Sequence, residues 1–296
     1  MSGERFGLSC ALATPFTNAG AIDFPRLAGH AARVLTEGCS GVTLFGTTGE
    51  GASIGLRERA EALAALAGAG IEPARRVVLT LAASSVPDIA EQAAIGADFG
   101  VRAFLFTPPY YFKGVSDDGL FDWYARSIER MGARVDEAIL YNIPSVTGVL
   151  LSHALIGRLK EAFPGVVAGV KDSGGDFAYT SALLKAHPDL VILVGDERHL
   201  GAAMRLGASG AISGVANLEA GRMQRMIAEA SDDAAISALV DAVVAEPVVP
   251  AIKALLAARL GDKAWAETRA PLEALPSTNA ARLAARYAEL FGRKTA

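Results

Sequence analysis

A lysine, a tyrosine and a threonine pair stand at the ends of apolar runs, where they could act on one small carbonyl compound. Lys171 closes the run Val166-Val167-Ala168-Gly169-Val170 and is followed by Asp172-Ser173-Gly174. An amine held among apolar neighbours is poorly solvated when charged, so part of it becomes the neutral nucleophile that attacks ketones. Tyr141 ends the run Ala138-Ile139-Leu140, a place from which a phenol can transfer protons. Gly46-Thr47-Thr48-Gly49-Glu50 offers hydroxyls and close backbone N–H groups, which hold a small carboxylate without a guanidinium. Each group alone has an ordinary structural reading: a lysine reaching for solvent, a core tyrosine, a turn that ends a strand. Together they suit one reaction. A neutral lysine condenses with a 2-oxo acid whose carboxylate rests on the threonine turn. The tyrosine moves protons through carbinolamine, imine and enamine, and the Schiff base is the electron sink for making or breaking a carbon–carbon bond. That chemistry calls for no metal or other cofactor beyond the imine on Lys171, and His30, His153, His187 and His199 are scattered without ligand spacing.

The elements that must position these groups can be read from apolar periodicity. Short apolar runs lie near Phe6 to Ala13, Gly41 to Phe45, Arg76 to Ala82, Val101 to Phe106, Ala138 to Tyr141, Val166 to Lys171, Leu190 to Val194 and Gly210 to Ser213. Helix-like stretches fall between them, among them Asp23 to Glu37, Leu56 to Ala67, Val86 to Phe99, Asp117 to Arg130, His153 to Ala162 and Arg198 to Leu206. Strands apolar on both faces suit a parallel sheet covered by helices, and this number of strand–helix units favours an α/β fold closed as a (β/α)8 TIM barrel. No Gly-x-Gly-x-x-Gly follows the first run and no Walker-type Gly-Lys-Ser or Gly-Lys-Thr occurs, which argues against the nucleotide-binding sheets. The barrel is expected over residues 1–225. A helical extension packed on it follows over 226–296, with helices at Asp232 to Ala245, Val249 to Leu260, Lys263 to Leu272 and Asn279 to Phe291, broken by Pro247, Pro250, Pro271 and Pro276. Barrel chemistry sits in loops after the strands' C-terminal ends. The threonine turn, Thr107-Pro108-Pro109-Tyr110-Tyr111, Tyr141-Asn142-Ile143-Pro144 and Lys171 to Asp176 all fall there.

Composition excludes several other classes. With 28 basic and 32 acidic residues well mixed and a net charge of -4, no basic surface marks a nucleic-acid or membrane partner. The first ten residues lack the pattern of a signal peptide and no stretch is apolar enough to span a bilayer, so a cytoplasmic protein is expected. Cys10 and Cys39 fall in apolar settings and read as reduced, buried thiols.

In ordered motifs over nearly its whole length the chain resembles the dihydrodipicolinate synthase and N-acetylneuraminate lyase family of class I, Schiff-base-forming barrel enzymes. The motifs are Thr14-Pro15-Phe16, Gly46 to Glu50, Thr107 to Tyr111, Tyr141 to Gly148, Gly169 to Ser173, Gly195-Asp196 and Gly210 to Ser213. The resemblance implies that Lys171 forms the imine, that Tyr141 shuttles its protons, and that Thr47 and Thr48 bind the pyruvate carboxylate, Thr47 also joining the relay. Gly46, Ser173 and Ile212 join Thr48 as implied substrate-binding residues. Tyr111 aligns with a tyrosine that family tetramers insert into a neighbour's site, so a homotetramer built as a dimer of dimers is implied. Lysine-pathway synthases carry an arginine two residues after the strand-five proline, to hold the second substrate's carboxylate; here Val146 stands there, and Lys113 or Arg198 would have to replace it. Sialic acid lyases carry Asp-Glu where this chain aligns Glu197-Arg198. Ser173 fits a hydroxylated partner. The resemblance therefore implies a pyruvate-dependent aldolase, lyase or dehydratase acting with an aldehyde or sugar-acid partner. 4-Hydroxy-tetrahydrodipicolinate synthase and a non-catalytic 2-oxo-acid-binding barrel are the alternatives.

Overall fold

Strands β1 (Gly7–Ala11), β2 (Gly41–Leu44), β3 (Val77–Leu81), β4 (Ala103–Phe106), β5 (Glu137–Asn142), β6 (Val167–Asp172), β7 (Val191–Val194) and β8 (Gly210–Ser213) pair in parallel, in sequence order. β8 closes onto β1 through Gly7↔Gly210 to Cys10↔Ser213, so the sheet has no free edge and the expected (β/α)8 barrel is present. These relations come from a computed structural model, which describes residues 6–292. Residues 1–5 of the chain start read above for a signal peptide lie outside them.

Thirteen helices complete the described chain: α1 (Phe24–Thr36), α2 (Leu56–Gly68), α3 (Pro73–Arg76), α4 (Val86–Asp98), α5 (Asp117–Met131), α6 (Pro144–Thr147), α7 (His153–Ala162), α8 (Phe177–Ala186), α9 (Leu200–Arg205), α10 (Ala216–Glu229), α11 (Ala234–Val244), α12 (Val248–Leu260) and α13 (Ser277–Phe291). Several starts are set by short polar side chains that accept from first-turn N–H groups, among them Asp23 for α1, Ser85 for α4, Ser116 for α5, Ser152 for α7 and Asp233 for α11. The strand period of two splits the core. Ala11, Val78, Leu105, Ile139, Tyr141, Leu193 and Ile212 fill the barrel's interior, whereas Leu8, Val42, Ala138, Leu140 and Val170 pack outward with the helices.

The C-terminal segment departs from expectation at two points. Lys263 to Leu272 is a short 3-10 turn, Lys263–Ala266, followed by irregular chain. One reason is that the Arg269 N–H donates to the Glu50 carboxylate at 2.9 Å instead of to a helical carbonyl. Pro250 does not break α12 but sits in its first turn, where an N–H has no helical acceptor to lose. The boundary drawn at 225 falls inside α10. Cys10 and Cys39 are free and buried, and burial pushes the Cys10 thiol up. Among the described residues no helix is long and apolar enough to cross a membrane.

Candidate active site

Parallel pairing places Tyr141 on β5 beside Lys171 on β6, and Asn142 beside Asp172. The register depends on an irregularity between Ala138 and Ile139, beyond which Ile139 pairs with Gly169. Gly169 has to be glycine. A Cβ there would lie 2.2 Å from the Val191 carbonyl oxygen, so any side chain would push β7 away from the strand that carries the lysine. Lys171 is 4% exposed. Its Nζ donates to the Tyr141 Oη at 3.1 Å and stands 4.2 Å from the centre of the ring. Thr47 Oγ1 lies 3.4 Å from the same phenol oxygen, which makes the row Lys171, Tyr141, Thr47. Burial alone would raise the Tyr141 phenol, but the Lys171 charge beside it and the hydroxyls of Thr47 and Ser173 outweigh burial and hold it below its usual range.

A polar frame lies behind this row. Asp172 points away from the barrel axis and accepts from Asn142 Nδ2 at 2.9 Å, Gly174 N at 3.0 Å and Thr180 Oγ1 at 2.7 Å. Asn142 Oδ1 accepts from Leu151 N at 3.1 Å. The ends of β5 and β6 are thus tied to each other and to α8, so the lysine and the phenol have little freedom to separate.

The threonine turn is held by more contacts than its sequence suggests. Phe45 and Glu50, on either side of it, both adopt left-handed backbone, at φ 59° and 55°. Such strain is kept only where the surroundings enforce it. Gly49 packs so closely on β1 that a Cβ would lie 2.7 Å from the Leu12 carbonyl oxygen. Thr14 Oγ1 donates to the Gly49 carbonyl at 2.7 Å. Arg59, fully buried, donates to the carbonyls of Gly51 and Thr80 at 2.8 Å each, and burial lowers its pKa to about 10. Beneath the turn Glu50 accepts from Lys253 of α12 at 2.5 Å, both side chains being buried. Burial also lowers the Lys253 pKa, against the pull of Glu50. Neither Arg59 nor Lys253 was visible as a site support from sequence. Each reads there as an ordinary helix-surface cation.

Lys171, Tyr141, Thr47, Thr48, Ser173 and Ile212 line one cavity of about 180 Å³. Gly46 is buried next to it but is not part of the wall. Tyr111 lies outside the cavity, 76% exposed, with its ring edge-on to Phe112. Val146, at the synthase arginine position, is 58% exposed on α6 and does not line the cavity either. Both proposed replacement cations are occupied. Arg198 donates to the two Asp196 oxygens at 2.9 and 2.7 Å and to Asp241 at 2.8 Å, while Lys113 Nζ donates to the carbonyls of Tyr110 and Thr147. The rest of the wall includes Glu197, whose carboxyl burial pushes up, and a group of aliphatic side chains on α11 and α12 that sequence reading left in the extension.

Comparison with known proteins agrees with this geometry. The model of the dihydrodipicolinate synthetase family matches residues 5–288. An uncharacterized DapA-like lyase of Chloroflexus aurantiacus is 30% identical over 301 residues, covering 99% of both chains. The crystal structure of a dihydrodipicolinate synthase from Agrobacterium tumefaciens superposes with a TM-score of 0.94 at 46% identity, over 97% of this chain and 100% of that one. YagE of E. coli K12, a family protein crystallised in complex with pyruvate, shares the fold at a TM-score of 0.86 and 22% identity, over 96% of this chain and 98% of its own.

Proposed function

Since the chain belongs to the dihydrodipicolinate synthetase family, we propose that it is a Schiff-base-forming lyase or aldolase that takes pyruvate as its 2-oxo acid. The observation that carries this reading is the buried Lys171 Nζ, 3.1 Å from the Tyr141 phenol in a cavity walled by the threonine turn. The neutral amine attacks the ketone carbon of pyruvate, and protons delivered through Tyr141 and Thr47 let the carbonyl oxygen leave as water. Loss of a methyl proton then gives the enamine. Its carbon adds to an aldehyde carbon, the aldehyde's π pair moves to oxygen, and that oxygen takes up a proton. Water finally adds to the iminium, releasing a 4-hydroxy-2-oxo acid and the free lysine; cleavage is the same path reversed. The hydroxyl formed at the reacting carbon is the natural partner of Ser173, which agrees with a hydroxylated substrate or product. The imine supplies the electron sink, so the reading calls for no further cofactor. Tyr111, exposed in one chain, would complete the site of a second copy in a homotetramer.

Sequence identity to the Agrobacterium protein favours a second reading, 4-hydroxy-tetrahydrodipicolinate synthase. The absence of a guanidinium at Val146 and the occupied Arg198 weigh against it. Incubation with pyruvate and borohydride is expected to leave one reduced adduct, mapped by peptide mass to Lys171. A folded protein that stays unmodified sinks the proposal. An adduct with no aldehyde consumed or released would make the chain a binding barrel instead of an enzyme.

A further inference from the structure

Much of the remaining wall of the cavity is aliphatic. Val240, Val243 and Val244 of α11 and Val248 and Ile252 of α12 line the same cavity as Lys171. They form a gradient from solvent inward: Val244 and Val248 are 50% and 41% exposed, whereas Val240, Val243 and Ile252 are nearly fully buried. Exposed valines on the rim of a buried reaction site gain when a ligand covers them.

The charges on this side offer nothing to an acid. Asp196 and Glu197 line the cavity, and among the described residues Lys171 is the only basic one that lines it. That amine is consumed in the imine. Arg198 has the geometry of a carboxylate receptor, but both oxygens of Asp196 already fill its fork and Asp241 takes the remaining end. A second carboxylate would therefore lose its water and meet no free counter-charge. The hydroxyls of Thr47 and Ser173 lie beside the Tyr141 phenol, where they serve pyruvate and the reacting oxygen, and that of Thr48 adjoins Ile252 at Gly214.

From these observations we infer that the partner is an uncharged aldehyde whose chain beyond the reacting carbon is apolar and packs on the valines of α11 and α12. The inference rests on the Schiff-base reading given above and adds the class of the second substrate. It separates this chain from enzymes whose partner is a semialdehyde carrying an acid group.

The test compares two aldehydes of similar shape, 4-methylpentanal and succinate semialdehyde, with pyruvate and the purified full chain. The kcat/KM for 4-methylpentanal is expected to exceed that for succinate semialdehyde by at least roughly thirtyfold, since an unpaired carboxylate fits an apolar wall poorly. Shortening the apolar chain by one methylene should lower kcat/KM about threefold to fourfold. Val243→Thr, which keeps shape but adds a hydroxyl, should cut the ratio between the two aldehydes about fivefold. A ratio measured within one protein is insensitive to how much of a variant folds. Borohydride trapping runs alongside. A ratio near one or reversed, with the Lys171 adduct formed, overturns the partner class and leaves the Schiff-base reading standing. An adduct with neither aldehyde consumed also overturns it. Failure to trap pyruvate removes both readings at once.

Discussion

The part of the cavity around Lys171 is made of strand termini and another part of helix faces, and the two hold their side chains by different means. At the lysine end, register sets position: Tyr141 and Lys171 are paired residues of adjacent strands, and Asn142 and Asp172 lock the next pair. Elsewhere, α11 and α12 present branched aliphatic side chains that make no hydrogen bonds themselves, although Asp241 of α11 and Lys253 of α12 bond to Arg198 and Glu50 beside them. Proton transfer demands placement to a fraction of an ångström, whereas apolar recognition tolerates small shifts and responds mainly to area. On the proposed reading, reaction type belongs to the barrel and partner choice to the segment that follows it.

The largest effects should come from the strand-built end. Lys171→Ala is expected to abolish the borohydride adduct and reduce turnover on the order of a millionfold, as when a covalent nucleophile is removed. Residual turnover near the original rate would show that the strand termini do not carry the chemistry. Tyr141→Phe removes one oxygen and little volume, so turnover should fall by about a hundredfold to ten-thousandfold with the unfolding midpoint nearly unchanged. Equal rates in the two proteins would take Tyr141 out of the relay. Substitution of the valines, by contrast, should change the choice among aldehydes far more than the rate of pyruvate condensation.

This contrast also explains what was legible in the amino-acid sequence. All eight strands were, because a parallel strand buried on both faces leaves a continuous apolar run, and the runs end in Thr47-Thr48, Tyr141 and Lys171. The aliphatic wall was not. A valine on α11 gives the same periodic signal whether it faces a helix or a cavity, so Val240, Val243 and Val244 read as packing for an extension. Attention fell instead on Val146, which carries a family contrast yet lies on the outer side of α6, away from the cavity of its own chain. Lys263 to Leu272 was misread for a similar reason. Much of its local composition favours a helix, but Pro271 and a contact 219 positions away, from Arg269 N to Glu50, oppose one.

One contact crosses between the two ends. Lys253 belongs to the helix that supplies Val248 and Ile252, and its ammonium meets Glu50 at the close of the threonine turn. Lys253→Met leaves Glu50 buried without that charge partner, an arrangement that costs about 3–5 kcal/mol in comparable pairs. The denaturation midpoint should drop accordingly, and pyruvate should bind more weakly because the turn loses its support. The double replacement Glu50→Gln with Lys253→Met should recover a good part of the stability, since no lone charge remains. If the single variant keeps wild-type stability and pyruvate affinity, the two ends are independent and the helices only cap the barrel.

The smallest expected effect concerns the one ionisable group at the apolar end that has no cation against it. Glu197 accepts from Ser213 Oγ at 2.6 Å and from Val215 N at 3.3 Å, but burial outweighs both and raises its carboxyl above the ordinary 4.5. A carboxyl raised in the folded state keeps its proton where the unfolded chain releases it. Its contribution to stability is therefore complete below pH 4.5 and is lost as the pH rises through the folded value. Glu197→Gln keeps an oxygen for both donors and has no proton to lose. Stability curves of the two proteins should converge in acid and separate toward neutral pH, with the variant above the wild type. Parallel curves would mean that Glu197 binds its proton alike in the folded and unfolded chain, and the division of the cavity into a polar and an apolar half would have to be redrawn around it.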